Sequence, residues 1–193
     1  DRSLLSATPE LARILDAALD GRELAVADAE LLLRAQGVDL FALMLAADRA
    51  RQQDKGDDVS FVVNRNMNFT NVCYVGCSFC GFSRHKDDPD AYDHPMAKLL
   101  EKARDAVARG ATELCIQGGI HPNKDHTHYR EILVALKREF PQIHIHAFSP
   151  EEIDFGHRKS GMPLADYLRW LVDAGLGTMP GTAAEILDDS VRD

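Results

Sequence analysis

The architecture of this chain is clearest in residues 113–148, which run ELCIQGGIHPNKDHTHYREILVALKREFPQIHIHAF. Short apolar segments predict a strand over residues 113–117 and another over residues 143–148. Between them, apolar side chains from Tyr129 to Phe140 recur at helical spacing and predict a helix. Strand, helix and strand in this order are typical of an α/β fold, with a parallel sheet and helical connections.

The same alternation continues on both sides of this stretch. We expect a first strand over residues 60–64, a helix from Pro95 to near Gly110, a helix over residues 164–172 and a fourth strand over residues 176–179. Strands two to four begin roughly 30 to 35 residues apart, which suits the repeated βα units of a TIM-like barrel. A closed barrel takes about 250 residues, so we expect about four units of a partial barrel.

The N-terminal residues follow a different, helical pattern. Thr8 is a candidate N-cap with Pro9 at the first helical position, and glycines divide the following apolar stripes into three helices. A polar stretch over residues 52–58 is typical of a linker. We therefore expect a helical segment and linker over residues 1–58, and the N-terminal part of a barrel over residues 59–193. Because the sequence begins with Asp and stops shortly after strand four, we expect a fragment.

Composition excludes several classes of protein. The 193 residues are 45% hydrophobic and 27% charged, which is typical of a globular chain. With 22 Lys and Arg against 31 Asp and Glu, the net charge is −9, so nucleic acid is not an expected partner. No apolar run approaches the ~18 residues of a membrane span. We expect no membrane partner and a cytoplasmic location.

Three of the four cysteines form a compact cluster of potential metal ligands. Cys73, Cys77 and Cys80 follow CxxxCxxC spacing, with Gly76 giving the loop freedom to curl. Thiolates at this density indicate metal, and three ligands would leave one iron of a 4Fe-4S cluster open to a small molecule. The alternatives are a zinc site completed by His85, as in a zinc-stabilised binding module, or uncoordinated thiols. Cys115 is interpreted as a small strand residue.

Four motifs carry a resemblance to a known family. Residues 64–73, NRNMNFTNVC, with the cysteine spacing and the GFS after it, resemble the radical S-adenosylmethionine (SAM) superfamily. More narrowly, residues 117–122 (QGGIHP), 144–152 (HIHAFSPEE) and 180–187 (PGTAAEIL) resemble the tyrosine-using half of FO synthase. The alternative within the superfamily is a radical SAM enzyme of the futalosine route to menaquinone.

The resemblance implies a transferase of deazaflavin biosynthesis. Such an enzyme moves the 4-hydroxybenzyl group of L-tyrosine to 5-amino-6-(D-ribitylamino)uracil through a 5′-deoxyadenosyl radical. Its cofactors would be SAM and a 4Fe-4S cluster on the three cysteines, and its partners an electron donor and the other FO synthase half-enzyme, fused or separate. The implied SAM-binding residues are Phe79, Gln117, Gly118, Gly119, Ser149 and Glu151.

Candidate substrate residues come from the expected barrel mouth. Alternation in the third strand places His144 and His146 on one face, which we assign to the barrel lumen because the outer face meets apolar helices. There they would contact substrate or SAM, although satisfied core histidines give the same pattern. Asn68, His121 and Glu185 follow strands and are further candidates by position.

Overall fold

The computed structural model describes residues 7–78, 80–182, 186 and 188–192. The chain divides into two compact units, Asp1–Ser60 and Phe61–Asp193. Within the described ranges, no helix is long and apolar enough to cross a membrane.

The described residues of the N-terminal unit form three helices, as the sequence predicts. They are α1 (Pro9–Leu19), α2 (Val26–Leu33) and α3 (Gly37–Lys55). Their buried apolar side chains form one small core: Leu11, Ile14, Leu15, Leu32, Ala42 and Ala46.

Helix α3 extends into the polar stretch that we interpreted as a linker. It ends only at Gly56, whose φ of 61° lies in the left-handed region. Gln and Lys are good helix formers, so a polar composition does not itself end a helix, whereas a left-handed glycine does. The first residues of the predicted linker are therefore helical.

The C-terminal unit is built on a parallel sheet. Its strands are β1 (Asn64–Asn68), β2 (Glu113–Gln117) and β3 (His144–Ala147), in the order β1-β2-β3. The helices that accompany them are α4 (Met96–Ala108), α5 (Thr127–Glu139), α6 (Pro150–Ser160), α7 (Leu164–Val172) and α8 (Asp189–Arg192). The predicted α/β class, with a parallel sheet and helical connections, is confirmed.

One face of the sheet is apolar and forms the core of this unit. The buried strand residues are Met67, Leu114, Ile116, Ile145 and Ala147. They cluster with buried side chains of α4 and α5, chiefly Leu99, Ala103, Ala106, Ile132, Leu133 and Leu136. Because successive strand residues point to opposite faces, the polar residues between them lie together on the other face.

The first strand lies four residues later than predicted. The expected strand over residues 60–64 contains apolar side chains that remain in solvent, with Phe61 84% exposed and the neighbouring Val59 91% exposed. The residues that pair with β2 are instead the polar Asn64 to Asn68, of which Met67 is buried. Pairing with β2, rather than local hydrophobicity, sets this strand.

The predicted fourth strand runs beside β3 but is very short. Thr178 forms a single parallel bridge with His146. The Ala147 N–H donates to the Thr178 carbonyl at 2.8 Å, and the Gly177 N–H donates to the Ile145 carbonyl at 2.9 Å. The sequence also predicts the start of a helix at Ala183, which lies outside the described residues.

Helix α6 was not predicted. It begins at Pro150, directly after the third strand, and Ser149 is its N-cap. Phe148 turns the chain between strand and helix with a φ of 65°, an unusual value for a side chain of this size. The turn brings the first residues of α6 to the carboxyl edge of the sheet.

Candidate functional site

The cysteine loop leaves the carboxyl end of β1 through a segment of buried polar residues. Thr70 and Asn71 are 0% and 5% exposed. The Thr70 hydroxyl donates to the Tyr92 carbonyl at 2.7 Å, and the Asn71 side chain bonds to the Asp90 carbonyl at 3.0 Å and to the Tyr92 N–H at 2.7 Å. These bonds anchor the entry of the loop.

Arg84 anchors the exit of the loop. Its backbone N–H donates to the Asn71 carbonyl at 2.8 Å, and its carbonyl accepts from the Cys73 N–H at 3.0 Å. The guanidinium pairs with Asp90 at 2.7 Å and donates to the Gly81 carbonyl at 3.1 Å. Entry and exit are therefore held side by side.

The three clustered thiols lie on the part of the loop between these anchors. All are free; Cys73 is half-buried, whereas Cys77 and Cys80 are exposed. The backbone N–H of Phe82 lowers the pKa of the Cys80 thiol, helped by Ser83 and Arg84 and opposed by desolvation. A lowered thiol pKa favours the thiolate, which is the form that binds metal.

Cys115 lies in a different environment. Burial raises the pKa of its thiol, and the negative charge of Glu113 raises this pKa further. A raised pKa disfavours the thiolate, so Cys115 is a poorer metal ligand than Cys80. This agrees with its interpretation as a strand residue.

The thiols share one short loop but are not drawn together around a point. Within the described part of the chain, no group of three or more His, Cys, Asp or Glu side chains is arranged to hold a metal ion. His85, the candidate fourth zinc ligand, instead faces Asp87 at 3.3 Å. Three thiols within eight residues have the number and chemistry of ligands that a 4Fe-4S cluster needs. In this conformation, however, the three sulfurs do not converge on one point.

The turn after β2 packs backbone to backbone against the cysteine loop. A Cβ on Gly119 would lie 2.3 Å from the Val72 carbonyl oxygen, and a Cβ on Gly118 would lie 2.5 Å from the Phe69 ring. The Gly119 N–H donates to the Thr70 carbonyl at 2.8 Å. Only glycine fits at either position, and the turn and the loop entry form one continuous layer.

Glu152 supports this layer from the side of α6, and the sequence analysis missed it. The side chain is 0% exposed. Its Oε1 accepts from the Gly118 N–H at 3.0 Å, while Oε2 accepts from the N–H and hydroxyl of Ser149 at 2.7 and 2.8 Å. Burial raises the pKa of the carboxyl to about 7, against the opposing effect of these hydrogen bonds.

A sequence signal for Glu152 was present. Ser149 to Glu152 match the capping-box pattern of Ser three residues before Glu, and both reciprocal bonds are formed. The candidate that we named, Glu151, is exposed on the first turn of α6. Ser149 is half-buried, and it is linked to the turn after β2 by Glu152, which accepts hydrogen bonds from both Ser149 and Gly118.

The polar face of the sheet brings together several predicted substrate residues. His144 Nε2 and His146 Nδ1 both bond to the Thr178 hydroxyl, at 2.9 and 2.6 Å. Asn68 Nδ2 donates to the Gln117 carbonyl at 3.2 Å, and Gln117 Nε2 donates to the Thr182 hydroxyl at 2.6 Å. Thr178 and Thr182 were not predicted as site residues, although Thr182 lies within the motif of residues 180–187.

Other predicted residues lie at the margin or beyond the described part. His121 follows the glycine turn, and its Nδ1 accepts from the Asn123 N–H at 3.2 Å. A small cavity of about 150 Å³ lies between this loop and Cys73. Phe79 and Glu185 fall outside the described residues.

The sequence of this chain is similar to those of a known family and of several known proteins. The family described as the Radical SAM superfamily matches residues 67–193. The chain is 47% identical over 186 residues to the 5-amino-6-(D-ribitylamino)uracil–L-tyrosine 4-hydroxyphenyl transferase of Nostoc punctiforme, covering 93% of this chain and 49% of that protein. It is 46% identical over 192 residues to the FO synthase of Mycobacterium tuberculosis, covering 100% of this chain and 22% of that protein. The chain thus spans about half the length of the transferase it matches, and less of the synthase.

Solved structures with a similar fold include two enzymes of low sequence identity. Methylornithine synthase (PylB) matches with a TM-score of 0.57 and 18% identity, over 84% of this chain and 56% of that one. HydG, a maturase of the [FeFe]-hydrogenase, matches with a TM-score of 0.62 and 16% identity, over 92% of this chain and 48% of that one. At this identity, the likeness concerns the fold.

Proposed function

Because this chain belongs to the radical SAM superfamily, we propose that it is part of the transferase that moves the 4-hydroxybenzyl group of tyrosine to 5-amino-6-(D-ribitylamino)uracil, in FO biosynthesis. One observation carries the proposal: the glycine turn after β2 and the entry of the cysteine loop form a single layer at the carboxyl edge of the sheet. This edge is where βα-barrel enzymes place their active sites. The relatives named for this reaction or for FO synthase support the substrates.

In this proposal, Cys73, Cys77 and Cys80 hold a 4Fe-4S cluster. When bound, the cluster delivers an electron that cleaves SAM and generates the radical that starts the reaction. The lowered pKa of the Cys80 thiol favours the thiolate that this role requires. The electron itself comes from an external donor, and thiol ligation suits the reducing conditions of the cytoplasm.

The glycine turn would bind the methionine end of SAM. Gln117, Gly118 and Gly119 allow a ligand to approach the backbone closely, since neither glycine carries a Cβ. Phe79, Ser149 and Glu151 remain candidates for the rest of the cofactor. The Gly119 N–H bond to the Thr70 carbonyl and the Tyr74 N–H bond to the Ile120 carbonyl keep the cysteine loop next to this turn.

The polar face of the sheet would bind the substrates. His144, His146 and Asn68 offer hydrogen-bonding groups that suit tyrosine and a ribityl-substituted uracil, and His121 and Glu185 remain candidates at the same mouth. The product would pass to the other FO synthase half-enzyme, fused or separate, for ring closure.

The test uses the full-length enzyme, prepared anaerobically. Iron and sulfide analysis is expected to give a 4Fe-4S cluster, whereas zinc without sulfide would indicate a zinc-stabilised module. With dithionite, SAM, tyrosine and the aminouracil, we expect 5′-deoxyadenosine and the coupled product. Cys80→Ser is expected to abolish both, and Cys115→Ser is the matched control that retains them. Turnover of a futalosine-pathway substrate instead would assign the enzyme to menaquinone biosynthesis.

A further inference from the structure

Glu152 is an unusual group for the interior of a protein. Its carboxyl is fully buried, and each of its described hydrogen bonds comes from a backbone N–H or a hydroxyl: those of Gly118 and Ser149. Burying a carboxylate is costly unless several donors solvate it. A capping box alone does not require this burial, because its glutamate needs only to reach the backbone N–H of the N-cap residue.

The bond to Gly118 links the capping box to the glycine turn. The peptide unit between Gln117 and Gly118 is held at both ends: its carbonyl accepts from Asn68 at 3.2 Å, and its N–H donates to Glu152 at 3.0 Å. The next residue, Gly119, is fixed by its bond to the Thr70 carbonyl at 2.8 Å. The turn therefore has one orientation, and Glu152 supplies the only charge among these contacts.

The backbone around Glu152 is arranged to bring the carboxylate to this place. Phe148 adopts a left-handed φ of 65° while fully buried, and its N–H donates to the Ile116 carbonyl at 2.9 Å. A non-glycine residue in this region is strained and persists only when the surroundings impose it. The strained turn starts α6 so that Glu152, and not the adjacent Glu151, faces the end of β2.

We propose that Glu152 is a positioning residue for SAM: its buried carboxylate orients the Gln117–Gly118 peptide and places a negative charge behind the turn that receives the methionine ammonium group. The proposal rests on the proposed function, in which this turn binds SAM. It extends that function by assigning a role to a residue outside the cysteine and glycine motifs.

The experiment compares Glu152→Gln with Asp154→Asn in the full-length enzyme, reconstituted anaerobically with iron and sulfide. At pH 8, above the raised pKa of Glu152, both variants remove one negative charge from α6, but Asp154 pairs with Arg158 on the helix surface at 2.6 Å. Glutamine keeps the size of the side chain and loses the charge and one acceptor oxygen. SAM binding is measured by equilibrium dialysis, and thermal unfolding is measured on the same samples.

We expect Glu152→Gln to weaken SAM binding at least tenfold while its unfolding temperature at pH 8 equals or exceeds that of the wild type. Asp154→Asn is expected to bind SAM within twofold of the wild type. If Glu152 had a purely structural role, Glu152→Gln would lower the unfolding temperature and leave the SAM affinity of the folded protein unchanged. Wild-type affinity in Glu152→Gln would overturn the proposal.

Hydrogen exchange separates this proposal from the proposed function. The Gly118 amide is expected to exchange at least tenfold faster in Glu152→Gln than in Asp154→Asn, without any SAM present. If wild-type enzyme fails to bind SAM, the proposed function and the ligand assigned to the turn are both wrong. Unchanged exchange at Gly118 would refute the orienting role of Glu152 even in an enzyme that binds SAM.

Discussion

The base and the tip of the cysteine loop are built in opposite ways. The base, residues 69–73, buries polar side chains such as Thr70 and Asn71 and bonds them to neighbouring backbone. The tip, residues 74–80, exposes Cys77 and Cys80 to solvent. The fold therefore fixes where the loop leaves the sheet, and it leaves the arrangement of the sulfurs to the group that they bind.

The largest expected effect tests the packing of the base. Gly119→Ala would place a Cβ 2.3 Å from the Val72 carbonyl oxygen, so backbone must move. We expect it to destabilise the protein by about 3 kcal/mol in urea unfolding, and to lower the iron content after reconstitution. Gly81→Ala is the control beyond the tip, since nothing lies within 4 Å of its Cβ. Equal losses of stability and of iron in the two variants would show that the base and the tip of the loop do not differ in packing.

The next effect concerns the buried carboxyl that supports the base. The pKa of Glu152 is raised from 4.5 to about 7, so the folded state holds its proton more tightly than the unfolded state. The free energy of unfolding should therefore fall as pH rises from about 5 to about 7, because each tenfold difference in proton affinity between the two states corresponds to roughly 1.4 kcal/mol. Glu152→Gln should lack this part of the pH dependence. Parallel curves for the two proteins, measured by urea unfolding at each pH, would contradict the raised pKa.

Removing one hydroxyl from the base and one from the tip of the cysteine loop compares these two parts more directly. Thr70→Val keeps the shape of the side chain but leaves the Tyr92 carbonyl and the Val72 N–H without the Thr70 hydroxyl. We expect a loss of about 2 kcal/mol in the free energy of unfolding. Ser78→Ala removes a hydroxyl from the exposed tip and should change it by less than about 0.5 kcal/mol. A comparable cost at both positions would show that the tip is as firmly held as the base.

The smallest expected effect is a difference in the rates at which two of the thiols are alkylated. The pKa of the Cys80 thiol is lowered, chiefly by the Phe82 N–H, and that of Cys115 is raised by burial. In cluster-free protein near pH 7.5, iodoacetamide should alkylate Cys80 before Cys115, because the thiolate is the reacting form. Mass spectrometry of quenched digests gives the order, and faster labelling of Cys115 would argue against an exposed tip.

The sequence predicted the elements that carry their own periodicity. Helices α4 and α5 and strands β2 and β3 have one apolar side that packs in the core, and they were found close to where the pattern places them. Strand β1 was misplaced because its first three residues are polar and exposed, and only Met67 is buried. Its position depends on pairing with β2, which is a property of the whole sheet.

The candidate site was predictable where the chemistry lies in a motif. The cysteine spacing and the glycine pair can be recognised from residue types alone. Glu152, in contrast, differs from Glu151 only by its position in the helix. Which of two adjacent glutamates faces inward depends on where α6 begins, and that depends on the left-handed turn at Phe148. Thr178 escaped prediction for the same reason: its role comes from meeting two side chains of another strand.

The hydroxyl of Thr178 sets a condition on the two imidazoles that share it. A hydroxyl carries one hydrogen, so it can donate to only one of His144 and His146. At least one of the two rings must therefore carry its hydrogen on the nitrogen that faces Thr178. In that ring, when neutral, the second nitrogen carries no hydrogen and can only accept a hydrogen bond from a group on its other side.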